Sequence, residues 1–401
     1  MSLPLHTFAT LQGFGPHARL LKALSLREAL KSSFPPPSVA VDLRDPGLGD
    51  VDPAALAGAG YGAVVGMPGH GAASAAAGLP LVHSLRRDDV VAPGDVVRVE
   101  PKGSRISVLY RRGANSNSLF VTERCNSLCL MCSQPPRPDD DGWRLDELID
   151  LVGLIDPDLS MLGVTGGEPT LLGRGLTRLL EATRAKLPST RLHILSNGRL
   201  FHDAQLVERM AAAVGRATWA IPLYADIARV HDHVVQAPEA FEETLEGIHN
   251  LAEHGHAIEV RFVAHALTVP RLQGLAEFIW RNLPFVEHVA LMGLEPMGFT
   301  RRNRDVLWID PAEAGKAVAN AAEYLARRGM TVSIYNTPLC LLPKVAWPLA
   351  RRSISDWKQD YAPECEPCSM RDGCSGFFSS ADLSWRGKDI RPIRDHEVMT
   401  V

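Results

Sequence analysis

Residues Thr122–Pro136 read TERCNSLCLMCSQPP, which places Cys125, Cys129 and Cys132 within eight residues of a chain that holds seven cysteines. Three thiolates are one short of the four that close a tetrahedral zinc site, and disulfides need pairs. The run follows an apolar SLFVTE, so the cysteines fall in the loop that leaves a strand.

Three thiolates on one compact loop can hold three irons of a [4Fe–4S] cluster and leave the fourth open to a small chelating ligand. A zinc knuckle with a distant fourth ligand, or buried structural cysteines, are the alternatives at this point. The next strand candidate ends GVTGGEPTLLG, with Gly166, Gly167, Glu168 and Pro169 at a strand-to-helix turn. Glycines let backbone come close to a ligand, and Glu168 adds a negative charge there.

Outward from these motifs the chain alternates strand and helix. Strand candidates are SLFVTE, SMLGVTGG, LHILSNG, TWAIPLY, IEVRFVAH and HVALMGLEP. Helical patterns run over 145–155, 176–187, 204–214, 241–254 and 272–282. This βαβα order predicts a parallel sheet with right-handed crossovers. Six strands predict an α/β fold built as a partial (β/α)6 barrel rather than a closed eight-stranded one. Its active face is the carboxyl end of the strands, where the cysteine loop lies. Asp310-Pro311 starts one more helix, and MTVSIYN reads as a strand after it.

Three regions are expected. Residues 1–115 form a small β-containing N-terminal domain, because DDVVAPGDVVRVEPKGSRISVLYRRG alternates between turn signals in the manner of short antiparallel strands. Residues 116–310 form the barrel, and residues 311–401 carry the remaining cysteines. Ala54–Gly78 is apolar but rich in Gly and broken by Pro68 and His70; it reads as close-packed small-residue turns, not a membrane span of roughly 20 large apolar residues. The N-terminus lacks the basic start and apolar run of a secretory signal. A cytoplasmic protein with reduced cysteines is expected. A net charge of -4 offers no basic field, so nucleic acid is not an expected partner, nor is a membrane.

Cys340, Cys365, Cys368 and Cys374 give C-x24-C-x2-C-x5-C. Four thiolates close a site by themselves, either as a structural zinc or as a second iron–sulfur cluster with no open iron.

The CxxxCxxC loop followed by a strand ending GGE resembles the radical S-adenosylmethionine (SAM) superfamily. The resemblance implies that Cys125, Cys129 and Cys132 ligate a [4Fe–4S] cluster with one open iron. It implies that Gly166, Gly167, Glu168 and Pro169 border the methionine amino group of SAM. Ser196 and Asn197 would lie near the ribose or carboxylate, Arg261 would pair with the carboxylate, and Leu294 and Glu295 would border the adenine. Two motifs depart from the family pattern. Met131 replaces the common aromatic before the third cysteine, leaving its backbone to reach adenine. Pro222 and Tyr224 stand where the family often has Ser-x-Asp for the ribose. The tail resembles the shorter, one-cluster twitch version of the SPASM extension, which implies an auxiliary [4Fe–4S] cluster in preference to zinc.

CNSLCLMCSQPP, IPLYADIARVHDHVVQA, VALMGLEPMGF, VSIYN, SISDWK and GFFSSA together resemble the C-type radical SAM maturase of the His-Xaa-Ser system, from about residue 85 to near the C-terminus. That implies a ribosomally made peptide or protein with His-Xaa-Ser repeats as substrate. It also implies a second radical SAM maturase, a small accessory protein and an electron donor as partners. The implied chemistry is reductive cleavage of SAM to a 5′-deoxyadenosyl radical, which takes a hydrogen atom from the substrate and leads to its oxidation or cross-linking. A radical reaction on a small molecule or another protein side chain is the alternative enzyme; a non-catalytic iron–sulfur or zinc scaffold is the alternative of another class. Gln134, Tyr224, His231, Asp232, His265 and Tyr335 are the polar residues expected near the site.

Overall fold

The computed structural model describes residues 5–45, 47, 51–352 and 359–395; SISDWK, at 353–358, lies outside them.

The first region is built on one mixed sheet. Its strands are β1 (His6–Phe8), β2 (Thr10–Gln12), β3 (Arg19–Ser25), β4 (Val39–Asp42), β5 (Ala63–Val65), β6 (Leu81–His83), β7 (Val96–Glu100) and β8 (Arg105–Tyr110), in the spatial order β1-β8-β7-β3-β4-β5-β6-β2. The antiparallel pair read from the sequence is β7 with β8. The other half differs from that reading: β3, β4, β5 and β6 are parallel, joined by the short helices α1 (Leu26–Ala29), α2 (Pro53–Gly58) and α3 (Gly71–Ala76). The small-residue stretch from Ala54 is therefore helix, buried strand and helix rather than a series of turns. Asp52 accepts from the Ala54 amide at 2.9 Å and Pro53 takes the first helical position, two local signals that start α2. Among the described residues no helix is long and apolar enough to cross a membrane.

The second sheet is wholly parallel and follows chain order. Its first six strands are β9 (Ser118–Phe120), β10 (Met161–Thr165), β11 (Arg191–Leu195), β12 (Thr218–Pro222), β13 (Ala257–Ala264) and β14 (His288–Gly293). Between them lie α4 (Trp143–Val152), α5 (Arg174–Lys186), α6 (Ala204–Val214), α7 (Ala228–Val235), α8 (Ala240–Glu253) and α9 (Leu272–Asn282). These are the strands and helices expected from the alternation, with α7 added between β12 and α8. The sheet then continues. After the short turns α10 (Phe299–Arg302) and α11 (Arg304–Leu307), α12 (Pro311–Ala326) leads to β15 (Val332–Tyr335), and β16 (Ala350–Arg351) completes eight parallel strands. Asp310 caps α12 at the Ala312 amide, 2.9 Å away. β9 and β16 are the two edges and do not pair, so the α/β barrel is open as predicted. A two-stranded hairpin of β17 (Gln359–Asp360) and β18 (Phe377–Phe378) lies in the cysteine-rich tail.

Residue alternation along the strands decides what each face holds. Outward residues such as Leu162, Ile194, Trp219 and Val260 are buried under the helices with Leu176, Leu179 and Phe201. Each such side chain contributes roughly 1.5–3 kcal/mol of burial energy. Inward residues are polar or small: Gly163, His193, Glu259, Arg261, His288 and Ser333.

One ionic cluster joins the two sheets. Lys22 on β3 is fully buried, with its ammonium 3.0 Å from Asp156, which follows α4. Asp156 also receives two hydrogen bonds from Arg112, each 2.9 Å, and one from the Tyr110 hydroxyl at 3.0 Å. Burial pushes the Asp156 carboxyl up, but the hydrogen bonds from Arg112 and Lys22 outweigh it and hold it below its ordinary range.

Candidate active site

The cysteine loop leaves β9 at the carboxyl face and is tied down from several sides. Asp141 accepts from the Glu123 amide at 2.6 Å and the Thr122 hydroxyl at 3.1 Å. The Leu128 and Leu130 amides donate to carbonyls at the end of α7, at 3.1 and 2.9 Å. Thr300 and Asn303 donate to the Met131 and Leu130 carbonyls, and the Phe299 amide donates to that of Cys132 at 2.8 Å. Gly298 allows that last contact: it has φ +57°, and a Cβ there would sit 2.4 Å from the Cys132 carbonyl. Arg199 reaches across from the turn after β11. It donates to the Asn126 carbonyl at 2.7 Å while paired with Glu243 of α8 at 2.6 Å.

All three cysteines are free thiols, partly exposed. Burial, and then the charges of Cys132 and Cys125, push the Cys129 thiol up to about 12; burial and then Glu168 push Cys125 up to about 11. Burial also raises Cys132, whose Sγ lies 3.0 Å from the Gln134 carbonyl. The three sulfurs thus sense one another in a site that disfavours bare thiolates. Cationic iron reverses that preference, so the donor set fits a cluster held by three thiolates.

GGE is the immediate neighbour of this loop. The Gly167 and Glu168 amides donate to the Thr122 and Arg124 carbonyls at 2.6 and 2.8 Å. A Cβ on Gly167 would lie 2.0 Å from the Arg124 carbonyl, so only glycine permits the approach. Glu168 is fully buried. One of its oxygens accepts from the Thr170 amide and hydroxyl and from the Ser196 hydroxyl, at 3.0, 2.6 and 2.8 Å; the other accepts from the Asn197 amide at 2.6 Å. Burial raises its pKa, and these four donors offset only part of that rise. A cationic ammonium beside it would bring it down. Pro169 opens the short turn that Glu168 caps. Asn197 donates its side-chain amide to Asn126 at 2.5 Å and lies 3.9 Å from the Cys125 sulfur. The cysteine loop, GGE, Ser196 and Asn197 therefore form one hydrogen-bonded unit.

Met131, Gln134, Arg261, Leu294, Glu295 and Tyr335 line a different feature, a cavity of about 770 Å³ inside the open barrel. It runs from the Arg111–Asn117 linker to Phe378 of the tail. Arg261 sits in the middle of β13 rather than at its end, bonded to Glu259 at 2.8 Å and to the Met292 sulfur at 3.2 Å. Tyr224 is buried outside this lining, stacked on His231 and packed beside Met131. Burial pushes its phenol well up, with Cys129 and Cys132 adding to the shift. Burial brings His231 and His265 each down to about 3. Asp232 accepts from the Phe241 amide at 2.8 Å and so serves α8. The sequence reading passed over Arg199 and the inward residues His193, Glu259 and His288. Their signal was a polar side chain at alternate positions of otherwise apolar strands.

In the tail, burial and then mutual charges raise Cys340, whose thiol senses Cys374, Cys365 and Cys368. The Leu339 and Gly376 amides point at the Cys374 sulfur and the Ile393 amide at that of Cys368, each at 3.4 Å. Cys340 is thus a thiol that feels the charge of the other three tail cysteines. Among the described residues no three His, Cys, Asp or Glu side chains crowd closely enough for a single metal ion.

Residues 119–271 match the Radical SAM superfamily. The chain is 32% identical over 130 residues to GTP 3′,8-cyclase 2 of Mycobacterium tuberculosis, covering 31% of this chain and 34% of that protein. It is 33% identical over 90 residues to 7-carboxy-7-deazaguanine synthase of Methanothermobacter thermautotrophicus, covering 21% and 34%. The chain thus spans about a third of the length of the curated relatives it matches. Among solved structures, SuiB of Streptococcus suis bound to S-adenosylmethionine superposes with TM-score 0.44 at 15% identity, over 57% of this chain and 51% of that one. Native anSMEcpe with bound AdoMet superposes with TM-score 0.49 at 12% identity, over 70% and 93%. The stretch that carries the cysteine loop, GGE, Ser196 and Asn197 is thus the part of the chain similar to the Radical SAM superfamily.

Proposed function

We propose that this enzyme is a peptide-modifying radical SAM maturase. Its substrate is a ribosomal peptide or protein with His-Xaa-Ser repeats, which it oxidises or cross-links. It works in the cytoplasm with a second radical SAM maturase, a small accessory protein and an electron donor. The observation that carries the reading is the cavity: it begins at Met131 of the cysteine loop and ends against Phe378 of the tail. A chain lying in it would run from the backbone of the cysteine loop, at Met131 and Ser133, to Phe378 of the tail. The sequence resemblance outside the generic motifs supplies the repeat.

Cys125, Cys129 and Cys132 would hold the cluster, and Gly166, Gly167 and Glu168 would hold the SAM amino group. When bound, the two together supply a radical able to take a hydrogen atom from an unactivated carbon. The protein's own contribution is placement. Asp141, Thr300, Asn303 and Arg199 fix the loop, and Glu168 fixes the two turns beside it. Cys340, Cys365, Cys368 and Cys374 would hold an auxiliary [4Fe–4S] cluster. The three amides aimed at their sulfurs are contacts of the kind that tune such a centre.

The test is anaerobic, reduced, reconstituted enzyme with SAM and a repeat peptide. Expected are 5′-deoxyadenosine and a defined mass loss on the peptide. SAM cleavage with no change to any repeat peptide overturns the substrate. A second reading, a small-molecule substrate, is favoured by the 32% identity to an enzyme named for acting on GTP. Product from GTP or another nucleotide would establish it.

A further inference from the structure

A carboxylate-centred network crosses the inner wall of the barrel, away from both cysteine sets. Glu259 of β13 is nearly buried. It accepts from His288 of β14 at 2.8 Å and from Arg261 at 2.8 Å, and His193 of β11 lies 3.4 Å away through Nε2. The far nitrogen of His288 meets the Ser333 hydroxyl of β15 at 3.0 Å. The Tyr335 ring stands edge-on to His288 at 6.4 Å. Burial alone would raise Glu259, but the donors His193 and His288, with the Arg261 charge, hold it far below the usual carboxylate range. It is therefore an anion at any working pH.

This fixes what the wall presents. His193 turns Nε2 toward the Glu259 carboxylate, and in the neutral ring that tautomer leaves Nδ1 as an acceptor. Among the described residues nothing hydrogen-bonds Nδ1. His193 and Tyr335 both line the cavity, while Glu259 and His288 are occupied with each other. Arg261 and Glu259 are paired with each other, so this network presents no lone charge to the cavity. It offers the His193 imidazole and the Tyr335 phenol, whose oxygen already accepts from Ser333 and whose O–H remains to donate.

We propose that His193 and Tyr335 form the substrate-binding wall, taking an uncharged side chain that brings its own O–H or N–H donor. On the maturase reading, on which this rests, that side chain is the serine hydroxyl or the imidazole of a repeat. Glu259 is a positioning residue: it sets the His193 tautomer and ring orientation.

The experiment is a double-mutant cycle on the holoenzyme, with three repeat peptides: unchanged, Ser→Ala and His→Ala. His193→Phe keeps the ring volume and removes the acceptor. It should raise KM for the unchanged peptide about tenfold. One of the altered peptides should raise KM as much with the wild type and add little with His193→Phe. His193→Gln, which restores an acceptor, should recover most of the loss. Tyr335→Phe provides the same cycle at a second position and guards against one variant failing to fold. Strict additivity with both altered peptides, or an unchanged KM, overturns the inference and leaves the maturase reading intact. If the wild type cleaves SAM but modifies none of the peptides, both fall.

Discussion

Glu168 accepts the backbone N–H of Asn197 at 2.6 Å, so the residue that ends the β10 turn also holds the β11 turn. Its other oxygen takes three donors, two of them from Thr170 and one from Ser196. Glu168→Gln keeps the size but turns an amino group toward N–H and O–H donors. It should cost about 1–3 kcal/mol of stability and at least tenfold in SAM affinity. Thermal unfolding and equilibrium dialysis with labelled SAM measure the two effects. An unchanged affinity would mean that the carboxylate serves the turn alone.

Gly167→Ala asks for space that the Arg124 carbonyl occupies. The strand end must move off the cysteine loop, at about 1–3 kcal/mol. Iron content after reconstitution should fall along with the melting temperature. Gly215→Ala, where nothing lies within 4 Å of the added carbon, tests the specificity: its positive φ costs some stability, but its iron content should match the wild type.

Arg199 spans from the β11 turn to the cysteine loop and α8. Its charge also favours the Cys129 thiolate. Arg199→Gln should lose iron to a chelator roughly tenfold faster, the equivalent of one charge-assisted hydrogen bond. Absorbance of the anaerobic cluster followed after chelator addition reads this directly. An unchanged rate would leave Arg199 as a surface tie.

Asp156→Asn removes the carboxylate in direct contact with a fully buried ammonium, leaving the more distant charge of Asp95. The expected loss is about 3–5 kcal/mol at pH 7. The Asp156 pKa is depressed in the folded chain, so its contribution is present above the unfolded value of about 3.9. It fades as pH falls through the lower folded value. Urea unfolding should therefore show a large gap between wild type and variant at pH 7 and a shrinking one below pH 4. A gap that does not change with pH would assign the loss to packing.

Much of this was legible in the residues. The barrel strands are short apolar runs with turn signals on both sides, and α6 and α9 begin and end where their periodicity does. The cysteine loop and GGE announce themselves by spacing. Three things were hidden. β15 and β16 belong to the sheet only because α12 packs back on β14 and α9, a tertiary fact. The helix–strand–helix unit near Ala54 is written in residues too small to show periodicity. The polar wall of His193, Glu259 and His288 is spread over three strands and becomes one object only when their register, Glu259 opposite His288, is set.

The ion cluster around Lys22 has one more consequence. A swinging module must break its attachment at little cost, and here a break would strand a desolvated charge. The described part of the first sheet is therefore fixed beside the barrel through Lys22 and Asp156. Anything it grips is presented to the cysteine loop at a constant distance.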